Sequence, residues 1–308
     1  MVFRARSRGA WLLAVLVALP TMTVGQPTPA AASTHSVIQS ASTSSGKSRR
    51  SARRRARKPP PGGVYARNAV VMDPSTGEIL YEKNGSTSVP IASLTKLMTA
   101  MVFLDGSPDL ERSVPVSYDE IRGAGRTRLR NREVVELGDL LHMSLMCSDN
   151  CATRVIVRES GFSMDEFLSR MNRKASELGL AQTNFVEVTG LDEHNVSSAA
   201  DCARLLRAAA ENPTIHAIST TPTYEFRSAT RPHTVVNTNR LLVYHRYEVL
   251  GGKTGFINEA GYCFATWIRT QGRDLIAVVL GAPTAATRFA DVVRLVQRTT
   301  APAVSSTN

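Results

Sequence analysis

Where the apolar repeats fall along the chain most constrains its fold: strand patterns stand at both ends of the structured part, and helical patterns fill the middle. Val64–Met72 alternates and is rich in β-branched residues. Asp73-Pro74-Ser75-Thr76-Gly77 is a turn, and Glu78-Ile79-Leu80-Tyr81 returns as a second strand. A helix is expected from near Ser93 through Leu104. Helical spacing recurs over 133–146, 164–178 and 198–211. Near the other end, Tyr262–Ile268 and Leu275–Leu280 flank the turn Gln271-Gly272-Arg273-Asp274, and an amphipathic helix covers Ala285–Gln297. The expected fold is therefore α+β, an antiparallel sheet built from both ends of the chain with an inserted helical region. No internal repeat is visible.

Three short motifs stand in order on this frame. Ser93-Leu94-Thr95-Lys96 is a Ser-x-x-Lys at a helix start, and residues three apart share a helix face, so the amine can reach the hydroxyl. A serine hydroxyl is a weak nucleophile until a base takes its proton. A lysine serves as that base only where burial or a second cation lowers its pKa. Ser148-Asp149-Asn150 follows a helical stretch, suits the cap of a helix beginning near Cys151, and offers side chains to a substrate. Lys253-Thr254-Gly255, preceded by Gly251-Gly252 and followed by Phe256, leads into the last hairpin. There the lysine and threonine can hold a carboxylate, and the glycine admits a substrate backbone.

Each motif alone also reads as a cap, a surface pair or a strand edge. In this order they are a known set, shared by class A β-lactamases and penicillin-binding proteins. The segment Pro90–Ala100 resembles the nucleophile segment of the low-molecular-mass D-alanyl-D-alanine peptidases, the S11 family. Val188–Ser197, Asn237–Leu242, Gly252–Phe256 and Ala260–Tyr262 resemble it as well. The wording around Ser93 and the Lys-Thr-Gly-Phe sequence look most like the periplasmic DD-endopeptidase branch. The resemblance spans about residues 64–300. It implies the DD-peptidase/β-lactamase-like fold. It implies that Ser93 attacks the carbonyl between two D-alanines and Lys96 takes its proton, with Ser148 relaying a proton to the leaving amine. Asn150 would bind the substrate backbone. Lys253 and Thr254 would bind the terminal carboxylate, Gly255 would lie along the substrate, and the backbone N–H groups of Ser93 and Phe256 would form the oxyanion hole.

The expected function is a serine endopeptidase that cuts peptidoglycan cross-links through an acyl-enzyme and is trapped by β-lactams, with no cofactor or metal. Its alternative is a carboxypeptidase trimming pentapeptide stems. Many carboxypeptidases carry an added β-rich domain, and the roughly 50 residues after Lys253 leave no room for one here. A β-lactamase would add a Glu-x-x-Leu-Asn segment, and none stands between Ser148 and Lys253. A non-catalytic peptidoglycan-binding module would have lost a motif residue, and all are present.

The formal net charge of +11 suggests nucleic acid until it is located. Residues 1–62 hold eleven Lys and Arg and no Asp or Glu, so subtracting them leaves the rest neutral. No nucleic-acid partner is expected. Arg4, Arg6 and Arg8 before the apolar run Ala10–Leu19 read as an export signal over 1–25, which places the protein in the periplasm or otherwise outside the cytoplasm. Residues 26–62, rich in Ala, Ser and Pro and then Arg, read as a disordered linker. Its basic run suits weak contact with anionic envelope polymers, or a plain spacer. Residues 63–300 form the catalytic domain, and 301–308 a flexible tail. Cys147, Cys151, Cys202 and Cys263 fit free thiols or a disulfide and do not have zinc spacing.

Overall fold

The structure, a computed structural model, describes residues 63–243 and 247–300. These all belong to one compact unit, Ala56–Asn308. The export signal, basic linker and polar tail read in the sequence lie outside the described residues.

The chain opens with β1 (Asn68–Met72) and β2 (Ile79–Lys83), then a short β3 (Val89–Pro90). A 3₁₀ turn at Ala92–Leu94 leads into α1 (Thr95–Asp105). The inserted region follows with β4 (Ser113–Pro115), α2 (Tyr118–Ile121), β5 (Val134–Glu136), α3 (Leu137–Met146), α4 (Asn150–Arg158) and α5 (Met164–Glu177). Then come β6 (Val196–Ser197), α6 (Ala199–Glu211), α7 (Pro213–Thr220) and a hairpin of β7 (Thr223–Arg227) and β8 (Pro232–Val236). The chain closes with β9 (Glu248–Ile257), β10 (Gly261–Thr270), β11 (Arg273–Ala282) and α8 (Ala285–Thr300).

The main sheet runs β2-β1-β11-β10-β9, all antiparallel. The first and last strands of the chain thus meet at its centre, as the sequence pattern predicts. Side-chain alternation divides these strands between two cores. Val70, Met72, Ala265, Ile276, Val278 and Leu280 face α6 and the helical region. Ala69, Val71, Phe264, Leu275, Ala277 and Val279 face α8, which answers with Phe289, Val292, Leu295 and Val296. Each of the Val, Leu, Ile, Phe and Met side chains among them contributes about 1.5–3 kcal/mol on burial, and the alanines less. Because both faces are covered, β1 is buried at every position instead of alternating between core and solvent.

Other local differences have physical causes. The helical stretch expected over 133–146 begins with Val134–Glu136 as a strand, since the β-branched pair extends along β4 and only from Leu137 does the helix form. The turn between β10 and β11 needs two residues, not four. Gln271 and Gly272 both adopt left-handed backbone, at φ 51° and 72°, which suits a tight hairpin. The last helix continues to Thr300, past the Gln297 boundary. Helix starts are capped by side chains: Asp149 on α4, Ser163 on α5, Ser198 on α6 and Asn212 on α7. Each cap is worth about 1 kcal/mol. All four cysteines are unpaired thiols.

Candidate active site

Ser93 lies in the 3₁₀ turn, two residues before α1 begins at Thr95, and not inside the helix itself. The preceding Ala92 takes left-handed backbone, φ 49°. A non-glycine residue there stores strain, of order 1–3 kcal/mol, that surrounding structure must hold. Gly190 and Gly255 are the close neighbours that hold it. A Cβ on Gly190 would overlap the Ala92 carbonyl, and one on Gly255 would come within 3.0 Å of Ser93 N and of Ile91 O. Only glycine lets the 187–195 loop and β9 approach from their two sides. β9 is an edge strand of the sheet, so its open side is the one that borders this turn.

α1 is buried almost all round from Thr95 to Ala100, packed among α3, α4, α5 and α6. Lys96 is therefore fully enclosed, at 0% exposure. Its Nζ lies 3.2 Å from Ser93 Oγ, donates to Asn150 Oδ1 at 2.6 Å and donates to the Thr189 carbonyl at 2.5 Å. Burial lowers its pKa to about 7, against the opposing pull of Glu187 and Asp149. A neutral amine has two hydrogens and one lone pair. With both hydrogens taken by the two carbonyl-type oxygens, the lone pair faces the serine hydroxyl.

The second motif approaches from the turn between α3 and α4. Ser148 takes left-handed backbone, φ 64°. Asp149 is the helix cap: one oxygen accepts from Ala152 N at 3.0 Å and the other from Thr127 Oγ1 at 2.8 Å. Asn150, expected to bind the substrate backbone, spends its oxygen on Lys96 and one amide hydrogen on the Ala124 carbonyl, 2.8 Å away. It orients the Lys96 amine, with one N–H left for another partner.

The third motif lies on β9. Lys253, 1% exposed, donates to Ser148 Oγ at 2.9 Å and to its neighbour's carbonyl, Thr254 O, at 3.1 Å. Burial, with Lys96 nearby, holds its pKa well below the usual lysine value. Thr254 Oγ1 donates to Thr238 Oγ1 at 2.7 Å. Phe256 stands 47% exposed, its ring 4.3 Å from that of Tyr262. The motifs, 54 and 105 residues apart in their direct contacts, thus share one cleft between β9 and the helical region.

Several residues here had no assigned role from sequence. Glu187 accepts from Thr189 N, Thr189 Oγ1, Gly190 N and Leu191 N, and so folds the loop that presents the Thr189 carbonyl to Lys96. Asn195 ties that loop to α1 through Thr95 Oγ1 at 3.2 Å. An acid two residues before Thr189-Gly190 was the available signal for Glu187. Arg288 donates to the Gly255 carbonyl at 3.2 Å from α8. Nothing in its helix pattern marked it, because only the fold brings α8 behind β9. Among the described residues no cluster of His, Cys, Asp and Glu could hold a metal ion.

Comparison with known proteins gives this arrangement its context. The peptidase S11 family, D-alanyl-D-alanine carboxypeptidase, matches residues 54–284. A D-alanyl-D-alanine endopeptidase of Pseudomonas aeruginosa is 39% identical over 233 residues, 74% of this chain and 75% of that protein. The Escherichia coli D-alanyl-D-alanine endopeptidase is 35% identical over 74% of this chain and 75% of its own length. The carboxypeptidase DacF of Bacillus subtilis is 33% identical over 75% of this chain and 61% of its own. Among solved structures, the Streptomyces K15 DD-transpeptidase superposes with a TM-score of 0.73 at 26% identity, covering 77% of this chain and 97% of that one.

Proposed function

Since the chain belongs to the S11 peptidases, the D-alanyl-D-alanine carboxypeptidase family, we propose that it is a serine D-alanyl-D-alanine endopeptidase that hydrolyses peptidoglycan cross-links. The observation that carries this reading is the buried Lys96 amine, 3.2 Å from Ser93 Oγ with its hydrogens directed elsewhere.

The geometry supports the following steps. Ser93 Oγ attacks the D-alanyl carbonyl as its proton passes to Lys96. The backbone N–H groups of Ser93 and Phe256 receive the oxyanion, and such donors contribute about 3 kcal/mol each to lowering the barrier. Ser148, fixed by Lys253, gives its proton to the departing amine and regains one from the Lys96 ammonium, the C–N bond breaks, and an ester on Ser93 remains beside a Lys96 amine that is neutral again. Lys253, Thr254 and Gly255 line the side of the cleft that takes the leaving group's carboxylate. Asn150 keeps the Lys96 lone pair on line with the hydroxyl. Water then attacks the ester as its proton passes to Lys96, and the ammonium returns that proton to Ser93 Oγ as the C–O bond breaks. A β-lactam acylates Ser93 by the same route, and its amine cannot diffuse away.

The choice of endopeptidase over carboxypeptidase rests on the two relatives at 39% and 35% identity, both of which are D-alanyl-D-alanine endopeptidases. We also propose that the protein works outside the cytoplasm and that its Arg-rich run touches anionic envelope polymers. Both readings rest on the sequence of residues 1–62. The test of the activity is digestion of cross-linked muropeptide dimers and pentapeptide monomers, with products weighed by mass spectrometry. Dimers falling to monomers are expected. Loss of one alanine from pentapeptides with dimers intact would make it a carboxypeptidase.

A further inference from the structure

A recess of about 510 Å³ opens beside β9, outside the Ser93–Lys96–Ser148 group. Val236, Asn237, Thr238, Arg240, Val243 and Arg288 line it. Thr238 is the wall it shares with the cleft: its hydroxyl accepts from Thr254 and donates to the Met146 carbonyl at 3.1 Å. The recess thus continues from the strand that faces the leaving group.

Arg240 and Arg288 both line it, and among the described residues no carboxylate pairs with either guanidinium. Arg288 leans on the Tyr262 and Phe289 rings, 5.5 and 4.9 Å from their centroids, and its Nε is buried with no hydrogen-bond partner. Burial lowers its pKa to about 10, and repulsion from Arg240 adds to that lowering. Arg240 is exposed, and the recess it lines also includes the exposed Val236 and Val243, at 56% and 58% exposure. Adjacent like charges without counter-ions raise the energy of the empty site. A ligand that brings a second carboxylate, beyond the one held at Lys253 and Thr254, supplies the missing counter-charge.

The two candidate reactions differ in that respect. Trimming a stem releases D-alanine, which carries one carboxylate. Cutting a cross-link releases a second stem peptide, which also carries its own C-terminal carboxylate. We infer that Arg240 is a specificity-determining residue that pairs with the C-terminal carboxylate of the leaving strand, and that this recess selects cross-linked stems over single ones. The inference rests on the endopeptidase reading. Arg240 touches no reacting atom and acts only on which leaving strand is held.

The test uses the purified full-length protein and two synthetic cross-linked dimers that differ only at the leaving strand's C-terminus, free carboxylate or amide. Wild type should cleave the free-acid dimer about 10-fold or more faster in kcat/KM, the range expected of a charge-assisted hydrogen bond. Arg240→Gln should bring that ratio to about one by slowing the free-acid dimer alone, and Arg240→Lys should retain part of it. Acylation by benzylpenicillin should be unchanged in both variants, which shows them folded. A ratio of one in wild type, an undiminished ratio in Arg240→Gln, or equal slowing on both dimers would overturn the assignment. Wild type that releases D-alanine from pentapeptides and leaves both dimers intact would instead sink the endopeptidase reading.

Discussion

Two lysines disappear from solvent on opposite sides of one cleft, and their surroundings differ. Lys96 on α1 has three oxygen partners and feels two carboxylates, Glu187 and Asp149, so burial lowers its pKa only to about 7. Lys253 on β9 has one hydroxyl and one carbonyl, and the cations that act on it are Lys96 and, more weakly, Arg288. The first site is built to trade a proton near neutral pH, where a base works best. The second lacks a counter-ion of its own and is suited to an anion that arrives with the substrate. The pair shows how one residue type serves two tasks through the charges left within reach.

Substitutions that exchange these roles should break the comparison. Lys96→Met should have the largest effect: acylation by benzylpenicillin should fall by about 10²–10⁴-fold, the usual worth of a general base, read by stopped-flow or intact mass. Lys96→Arg should do no better, because guanidinium stays protonated. Near-normal acylation in either variant would remove Lys96 as the base. Lys253→Met should cost about 10–100-fold in kcat/KM on peptide substrates, through loss of a charge-assisted hydrogen bond. Effects confined to KM would mean that Lys253 only binds, and effects on kcat as well would tie it to Ser148.

Glu187→Gln sharpens the electrostatic half of the contrast. Glu187 raises the Lys96 pKa, so removing its charge should move the midpoint of the acylation–pH curve below that of wild type. The loop it folds should also lose about 1–3 kcal/mol, seen as a lower Tm. The smallest effect belongs to Asp149→Ala, where loss of the α4 cap should cost about 1 kcal/mol. A loss several times larger would show that Asp149 supports the Ser148 turn as well as the helix.

The part of the molecule that repeats was legible in the sequence. Period-2 runs located β1, β2, β10 and β11, and their positions at both ends of the chain predicted the sheet. The β7–β8 hairpin was missed although Tyr224 and Phe226 alternate in it, because two isolated inward aromatics make a weak pattern against the flanking Pro222 and Pro232. At the site, Ser93, Lys96, Ser148 and Lys253 were found as motif residues. Nothing in sequence reveals that the oxygen of Asn150, expected to bind substrate, is taken by Lys96, which leaves one N–H for the substrate. Glu187 left only a faint sign, an acid two residues before Thr189-Gly190, and Arg288 left none, because it acts through a contact that only the folded chain creates.

The most direct test of the account is the rate of the benzylpenicillin adduct followed by intact mass from pH 5 to 9, with the modified peptide identified. Only the neutral amine can accept the Ser93 proton, and its fraction grows as pH rises through about 7. The account predicts an adduct on Ser93 whose formation rate climbs about tenfold per pH unit below that point and levels off above it. An adduct on another residue, or a rate that does not change across this range, would contradict it.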